Sequence, residues 1–228
     1  MSNLKRIKPF YHRLICQPDL LREETDKGRF YVSPEGKKYP SVTTVLSWYK
    51  KDSLKSWRQK VGEDEANKIS RMAANRGTKL HSVCEAFLKN DPGFKDNLDF
   101  MTSSLFDNIY DILNDHVDNI YMIESKMYSD HLKIAGTVDC IAEFDGRKTV
   151  IDFKTSSKSK KEEWIEDYFM QAACYAVMCE ERTGMAIPNL TIIIAVEHDV
   201  PQVFHQKRNK WIDNAISIIR NYEDYHGL

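Results

Sequence analysis

The chain has 228 residues, 42% hydrophobic and 29% charged, which describes an ordinary soluble globular protein of one domain with decoration. Its 33 Lys and Arg against 34 Asp and Glu leave a formal charge of −1, without the basic excess usual in a chain that only holds nucleic acid. No run of 18 or more apolar residues exists, so no transmembrane helix is expected. The start, Met1-Ser-Asn-Leu-Lys-Arg6, lacks the apolar core of a secretion signal, so a cytoplasmic location is expected.

In chain order, residues 1–28 are broken by Pro9 and Pro18 and carry no assignable pattern. Phe30–Val32 and Lys37–Tyr39 flank a Ser-Pro-Glu-Gly turn and predict a small hairpin. Ser41 is placed to cap a helix running to about Tyr49, and Asp52 or Ser53 to cap the next. Ala66, Ile69, Ala73, Leu80, Cys84 and Phe87 recur at helical spacing and predict a long helix over 64–89, stopped by Asp91-Pro-Gly93. A second helix, over 98–117, carries Met101, Leu105, Ile109, Ile112 and Leu113. Strands are expected over 120–128, 134–144 and 148–154, then a helix over 162–182 ended by Thr183-Gly184. Two more strands, over 190–196 and 200–205, precede a final helix over 207–225. This order predicts an α/β fold, a central mixed sheet flanked by helices. Residues 1–60 are expected to form an N-terminal extension packed onto a core over 61–228.

The five cysteines include no Cys-x-x-Cys pair, and four lie in apolar runs, so buried reduced thiols are expected rather than a zinc site. Residues 136–154 carry more. Asp139 interrupts the β-forming run Thr-Val-Asp-Cys-Ile-Ala, and Thr149-Val150-Ile151 lead into Asp152, Phe153 and Lys154. Asp145-Gly146 between them is a hairpin signal that brings the two acids together. Side chains two apart on a strand share a face, so Asp152 and Lys154 point one way and Phe153 into the core. Buried carboxylates side by side repel unless paired or bound to a cation. Two acids and an ammonium therefore suit a hard divalent cation and an activated water, the chemistry of phosphodiester hydrolysis. Arg147, Lys148, Lys154, Lys158, Lys160 and Lys161 are expected to cluster beside this site.

Gly136-x-x-Asp139 followed by hydrophobic-Asp152-x-Lys154 resembles motifs II and III of the PD-(D/E)XK nuclease superfamily. Arg76-Gly77-Thr78-Lys79-Leu80-His81 with Glu85 resembles the Gly-x-x-x-His helix of its RecB-type exonuclease branch, and Gln171-Ala-Ala-Cys-Tyr175 its Gln-x-x-x-Tyr helix. Tyr39-Pro-Ser-Val-Thr-Thr-Val-Leu46 is similar to a segment preceding the core in mitochondrial genome maintenance exonucleases and related phage exonucleases. The motifs cover roughly residues 29–205, in the order of the family.

The resemblance implies a restriction-endonuclease-like core and a Mg²⁺- or Mn²⁺-dependent DNA exonuclease that prefers single-stranded ends and works in replication, recombination or repair. It implies metal ligation by Asp139, Asp152 and the Phe153 carbonyl, with Lys154 holding the attacking water. His81 would be a further ligand or would orient substrate, and Glu85 would orient His81. Glu124 either reaches the metal shell or lies on a solvated strand face opposite Lys126. Gln171 is expected near the lysine or a phosphate, and Tyr175 toward DNA. Gly77 costs about 1 kcal/mol in a helix, which points to close approach of a DNA backbone or of the sheet. Phe30, Tyr31, Tyr39, Trp48, Tyr49 and Trp57, among basic residues, suit a single-strand-threading element. A monomer in the cytoplasm, or the host cytoplasm if phage-encoded, is expected, beside replication or recombination proteins and away from membranes. The alternatives are a structure-specific or double-strand nuclease of the same superfamily, or a catalytically idle DNA-binding module.

Overall fold

The computed structural model describes residues 8–227, so the chain start discussed above lies outside the described residues. Five strands form the central sheet, in the order β4 (Val117–Ser129), β5 (Ile134–Phe144), β6 (Arg147–Ser156), β7 (Asn189–Val196) and β8 (Gln202–Lys207). All neighbours are antiparallel except β6 and β7, which run parallel and are joined by the helical crossover that a parallel pair needs. The period-2 rule divides the core. Val150, Ile192 and Ile194 join one apolar cluster, while Ile151, Phe153 and Ile193 join another on the opposite face.

Helices cover both faces. α3 (Glu63–Leu88) and α4 (Phe100–His116) cover one, with Leu80, Cys84, Phe87, Leu105 and Ile109 buried there. α1 (Val42–Tyr49), α5 (Glu166–Thr183) and α6 (Arg208–His226) cover the other, where Ala172, Ala173 and Ala176 let α5 sit close to the strands. Gly184, at φ 72, ends α5 in the left-handed conformation that glycine tolerates best. Among the described residues, no helix is long and apolar enough to cross a membrane.

A second sheet of β1 (Leu21–Thr25), β2 (Gly28–Val32) and β3 (Lys38–Pro40) packs through Tyr31 and Tyr39 onto Tyr128 and Ala135 of the main sheet. The hairpin expected over 30–39 is present, and the patternless segment before it supplies its third strand. Ser41 caps α1 by accepting from the Thr44 N–H. Neither Asp52 nor Ser53 caps α2 (Lys51–Val61): it begins at Lys51 with no side-chain cap, because the chain turns from α1 through Lys50 alone. Ile69 and Ala73, which share the helical spacing of Leu80 and Cys84, are nonetheless exposed, since the N-terminal half of α3 extends past the sheet and buries only Ala66.

Candidate active site

The site lies where β5 and β6 part. Asp145 and Gly146 both have positive φ, 50 and 71, so the turn has the twist that starts a tight hairpin. Pairing then runs from Phe144–Arg147 to Cys140–Ile151 and stops. One more step would set Asp139 opposite Asp152. There β6 continues beside β7 only, through Ser156. The peptide groups that the parting leaves open are taken up by side chains. Asp139 Oδ2 accepts from the Phe153 N–H at 2.8 Å, and the Phe153 carbonyl lies 2.8 Å from His81 Nε2.

On the other side of β5, the pairs Ile123–Cys140 and Ser125–Val138 bracket Glu124 directly across from Asp139. Glu124 has φ 43, a left-handed backbone that costs a non-glycine residue of order 1 kcal/mol or more and that concentrates at functional sites. Glu124, Asp139 and Asp152 thus form a row across three strands. Like charges directly opposite on a sheet repel, so such a row calls for cations.

His81 answers part of that demand. Its Nδ1 is 3.4 Å from Asp139 Oδ1 and 3.6 Å from Glu124 Oε1. With Nε2 donating to the Phe153 carbonyl, Nδ1 is held toward the two acids. Burial disfavours the imidazolium, but the charge and hydrogen bonding of Asp139, with Glu124, outweigh it and raise His81 to about 10. Burial likewise works against the Asp139 carboxylate, yet His81, Lys154 and the Phe153 N–H hold it below the ordinary range. One ligand atom each from His81, Glu124 and Asp139 lie within 4.8 Å of one another, a spacing that can hold a metal ion.

Asp152 is 1% exposed, and among the described residues neither of its oxygens accepts a backbone N–H. Its closest charge is Lys154 Nζ, which pairs with Oδ2 at 2.5 Å. Burial and then the neighbouring Asp139 charge push Asp152 up to about 6 against the pull of Lys154. The ammonium, opposed by burial, is carried above the usual lysine range by Asp152 and Asp139. Hard oxygen donors, one imidazole and a buried carboxylate short of donors fit a hard divalent cation.

A cavity of about 820 Å³ opens onto this row, lined by His81, Glu124, Asp139, Lys154, Gln171 and Tyr175 among others. Gln171 Nε2 donates to the Tyr175 hydroxyl at 3.4 Å, and Tyr175 is 2% exposed. Rather than reaching outward, Tyr175 packs on Gly136, where an added Cβ would sit 2.7 Å from its ring. Gly136 therefore makes room for the ring beside Asp139. Among the described residues, Gly77 has nothing within 4 Å of where its Cβ would be, and it lines the cavity, so close approach of the sheet is not its reason. Glu85 lines the cavity too, but its carboxylate pairs with Lys89 at 2.6 Å; the acids beside His81 are Asp139 and Glu124.

Arg147 and Lys148 do not join the basic cluster expected beside the site. They sit at the turn end of β6, about 16 and about 13 Å along the strand from Asp152, because an extended chain rises about 3.3 Å per residue. The cations lining the cavity with Lys154 are Arg22, Arg29 and Lys126. Arg22 comes from the segment that showed no sequence pattern, so nothing local announced it. Glu124 had a readable signal, its position across from Asp139, but only once the strand register is known.

A row of strand-borne carboxylates with one lysine and one imidazole, at a parting in a mixed sheet, defines an α/β protein with an acidic, cation-ready site. The sequence pattern of the PD-(D/E)XK nuclease superfamily matches residues 81–211, more than half of the chain. The chain belongs to that superfamily. It is similar to mitochondrial genome maintenance exonuclease 1 of Homo sapiens, 30% identical over 130 residues, covering 53% of this chain and 38% of the relative. The Xenopus tropicalis protein of the same name is 30% identical over 184 residues, covering 73% and 51%. The chain thus spans about half or less of the length of these relatives. A crystal structure of a candidate exonuclease from Eubacterium rectale aligns with TM-score 0.46 and 13% identity over 63% of each chain.

Proposed function

We propose that this chain is a Mg²⁺- or Mn²⁺-dependent DNA exonuclease that degrades single-stranded ends in replication, recombination or repair. The observation that carries the reading is the His81–Glu124–Asp139 cluster beside the paired Asp152 and Lys154, at the floor of one cavity. Asp139, Asp152, Glu124, His81 and the second lone pair of the Phe153 carbonyl are the groups that would hold the metal. When bound, the ion lowers the pKa of water and offsets phosphate charge. Lys154 then orients the attacking water and stabilises the charge that develops on the phosphate. Asp152 holds that ammonium in place. His81, fixed at Nε2, keeps Nδ1 on the acids, and Arg22, Arg29 and Lys126 offer the backbone of the strand its positive wall.

In this reading residues 61–228 are the nuclease core, and 1–60 cover the approach to it and guide a single strand. Tyr31, whose hydroxyl bonds Thr137, lines the cavity with Ser41 and Thr43, which supports a role for the N-terminal part at the substrate. Of the other aromatics in that run, Tyr39 is buried, Trp48 packs on Tyr222 and Tyr49 is exposed. The reading extends to a monomer in the cytoplasm beside replication or recombination proteins; four buried free thiols, Cys84, Cys140, Cys174 and Cys179, are consistent with a reducing compartment.

The test is a gel assay on end-labelled linear single strands, duplexes and covalently closed single-stranded circles. Mg²⁺ and Mn²⁺ should support degradation of the linear strand to short products, Ca²⁺ should bind without turnover, and circles should persist. Chelator should abolish cleavage while circular dichroism shows the fold intact. Full activity in excess EDTA would remove the mechanism, and rapid cutting of circles would remove the requirement for an end.

A further inference from the structure

We propose that Tyr168 is the positioning residue for Lys154, its ring forming the back wall that holds the ammonium toward Asp152. This rests on the reading that Lys154 acts on the attacking water. Lys154 Nζ lies 5.0 Å from the centroid of the Tyr168 ring and 2.5 Å from Asp152 Oδ2. The lysine lines the cavity whereas Tyr168 does not, so the ring stands behind the ammonium and leaves its front free for substrate. Lysine is a flexible four-carbon stem, and one ion pair alone leaves its nitrogen free to swing. A carboxylate on one side and a ring face on the other fix it, and a cation over a ring is held more strongly where water is scarce. The Lys154 side chain is only 19% exposed.

The ring is itself anchored. Tyr168 packs against the apolar cluster of α5 and α6, and its N–H donates to the Ile165 carbonyl at 2.9 Å. Next to it, Asp167 pairs with Lys50 at 2.6 Å, which ties the first turn of α5 to the junction of α1 and α2. Tyr168, Gln171 and Tyr175 follow the three-and-four spacing of one helix face, so the same face that supplies the family-like pair also supplies this wall. Among the described residues the Tyr168 hydroxyl makes no hydrogen bond, so the ring face and not the hydroxyl carries the role.

The test compares Tyr168→Leu, Tyr168→Phe, Lys154→Ala and the double variant Tyr168→Leu/Lys154→Ala on linear single-stranded DNA with Mg²⁺. Tyr168→Leu should lower kcat roughly threefold to thirtyfold, the range for losing a desolvated cation–ring contact, with KM within about twofold. Tyr168→Phe should restore the rate. In the Lys154→Ala background the Leu substitution should change nothing further, because coupled residues fail to add. Independently of activity, the Lys154 ε-proton resonances of the metal-free protein should be shifted upfield by the ring, an effect kept in Tyr168→Phe and lost in Tyr168→Leu. If the Leu variant melts early, Tyr168→Met takes its place. An unchanged kcat, an equal loss in Tyr168→Phe, an equal loss on top of Lys154→Ala, or resonances without the ring shift would each overturn the proposal. An inactive wild type that still shows the ring shift would instead count against the nuclease reading alone.

Discussion

The two regions that enclose the site are packed in opposite ways. The sheet side is built to contact: Gly136 touches the Tyr175 ring, Asp139 takes the Phe153 N–H, and the Phe153 carbonyl meets His81. The helix side is left open: among the described residues Gly77 meets nothing within 4 Å, and the half of α3 that precedes it is exposed apart from the buried Ala66 and the half-buried Arg76. A floor with no slack fixes atoms that must be placed to tenths of an ångström, whereas an open wall leaves room for a ligand of the size of a strand backbone. Substitutions on the floor should therefore change chemistry and stability, and those on the wall should change binding.

The largest effect is expected at the floor. Asp152→Asn and Lys154→Ala should each lower turnover by roughly 10²–10³-fold, the loss typical when one charge-stabilising group is removed. Affinity for single-stranded DNA, measured by fluorescence anisotropy in Ca²⁺, should stay within about tenfold, because backbone contacts spread along the cavity supply most of it. A wild-type rate in Lys154→Ala would show that the site has been placed on the wrong residues even though the fold is right.

A smaller effect on stability separates residues within the floor. Gly136→Ala drives a methyl into the buried Tyr175 ring and should cost about 1–3 kcal/mol, the usual penalty of overpacking. Asp139→Ala strands the buried Phe153 N–H and should cost a similar ~1–3 kcal/mol in urea unfolding with EDTA present. Asp152→Ala should cost less than Asp139→Ala, since among the described residues the Asp152 oxygens accept no backbone N–H and its charge is disfavoured by burial and by Asp139. The reverse order would mean that the Lys154 ion pair, and not the Asp139 hydrogen bond, holds the floor together.

The smallest effect belongs to the wall. Gly77→Ala fills open space inside a helix and should raise stability by up to about 1 kcal/mol. If a DNA backbone passes over this turn, the same methyl should weaken single-strand binding although the protein has become more stable. A gain in stability with unchanged affinity would leave the open wall without a substrate role.

Much of this was legible because the forces involved are local. Turn chemistry at Asp145-Gly146, alternation along β5 and β6, and helical spacing over α3 to α6 each depend on residues a few positions apart, and the elements formed where those patterns lie. The sharing of one face by Asp152 and Lys154 followed from the pleat alone. The order of the four motifs was sufficient to point to the superfamily, which the match over 81–211 shows.

What sequence by itself determined, then, was the set of elements and the identity of the groups most apt for cation chemistry. Tertiary structure alone decided how they meet. Glu124 enters the cluster because β4 pairs with β5 in one particular register and because its own φ is left-handed, and neither is encoded within a short window. Arg22 and Arg29 reach the cavity because a three-stranded sheet forms from a segment with little periodicity. Arg147 and Lys148, close to Asp152 in sequence, are far from it in space because an extended strand separates its ends more than any other conformation. Proximity along the chain reports turns and faces; proximity in the site is set by register, by the parting of two strands, and by which peptide groups that parting leaves in need of a partner.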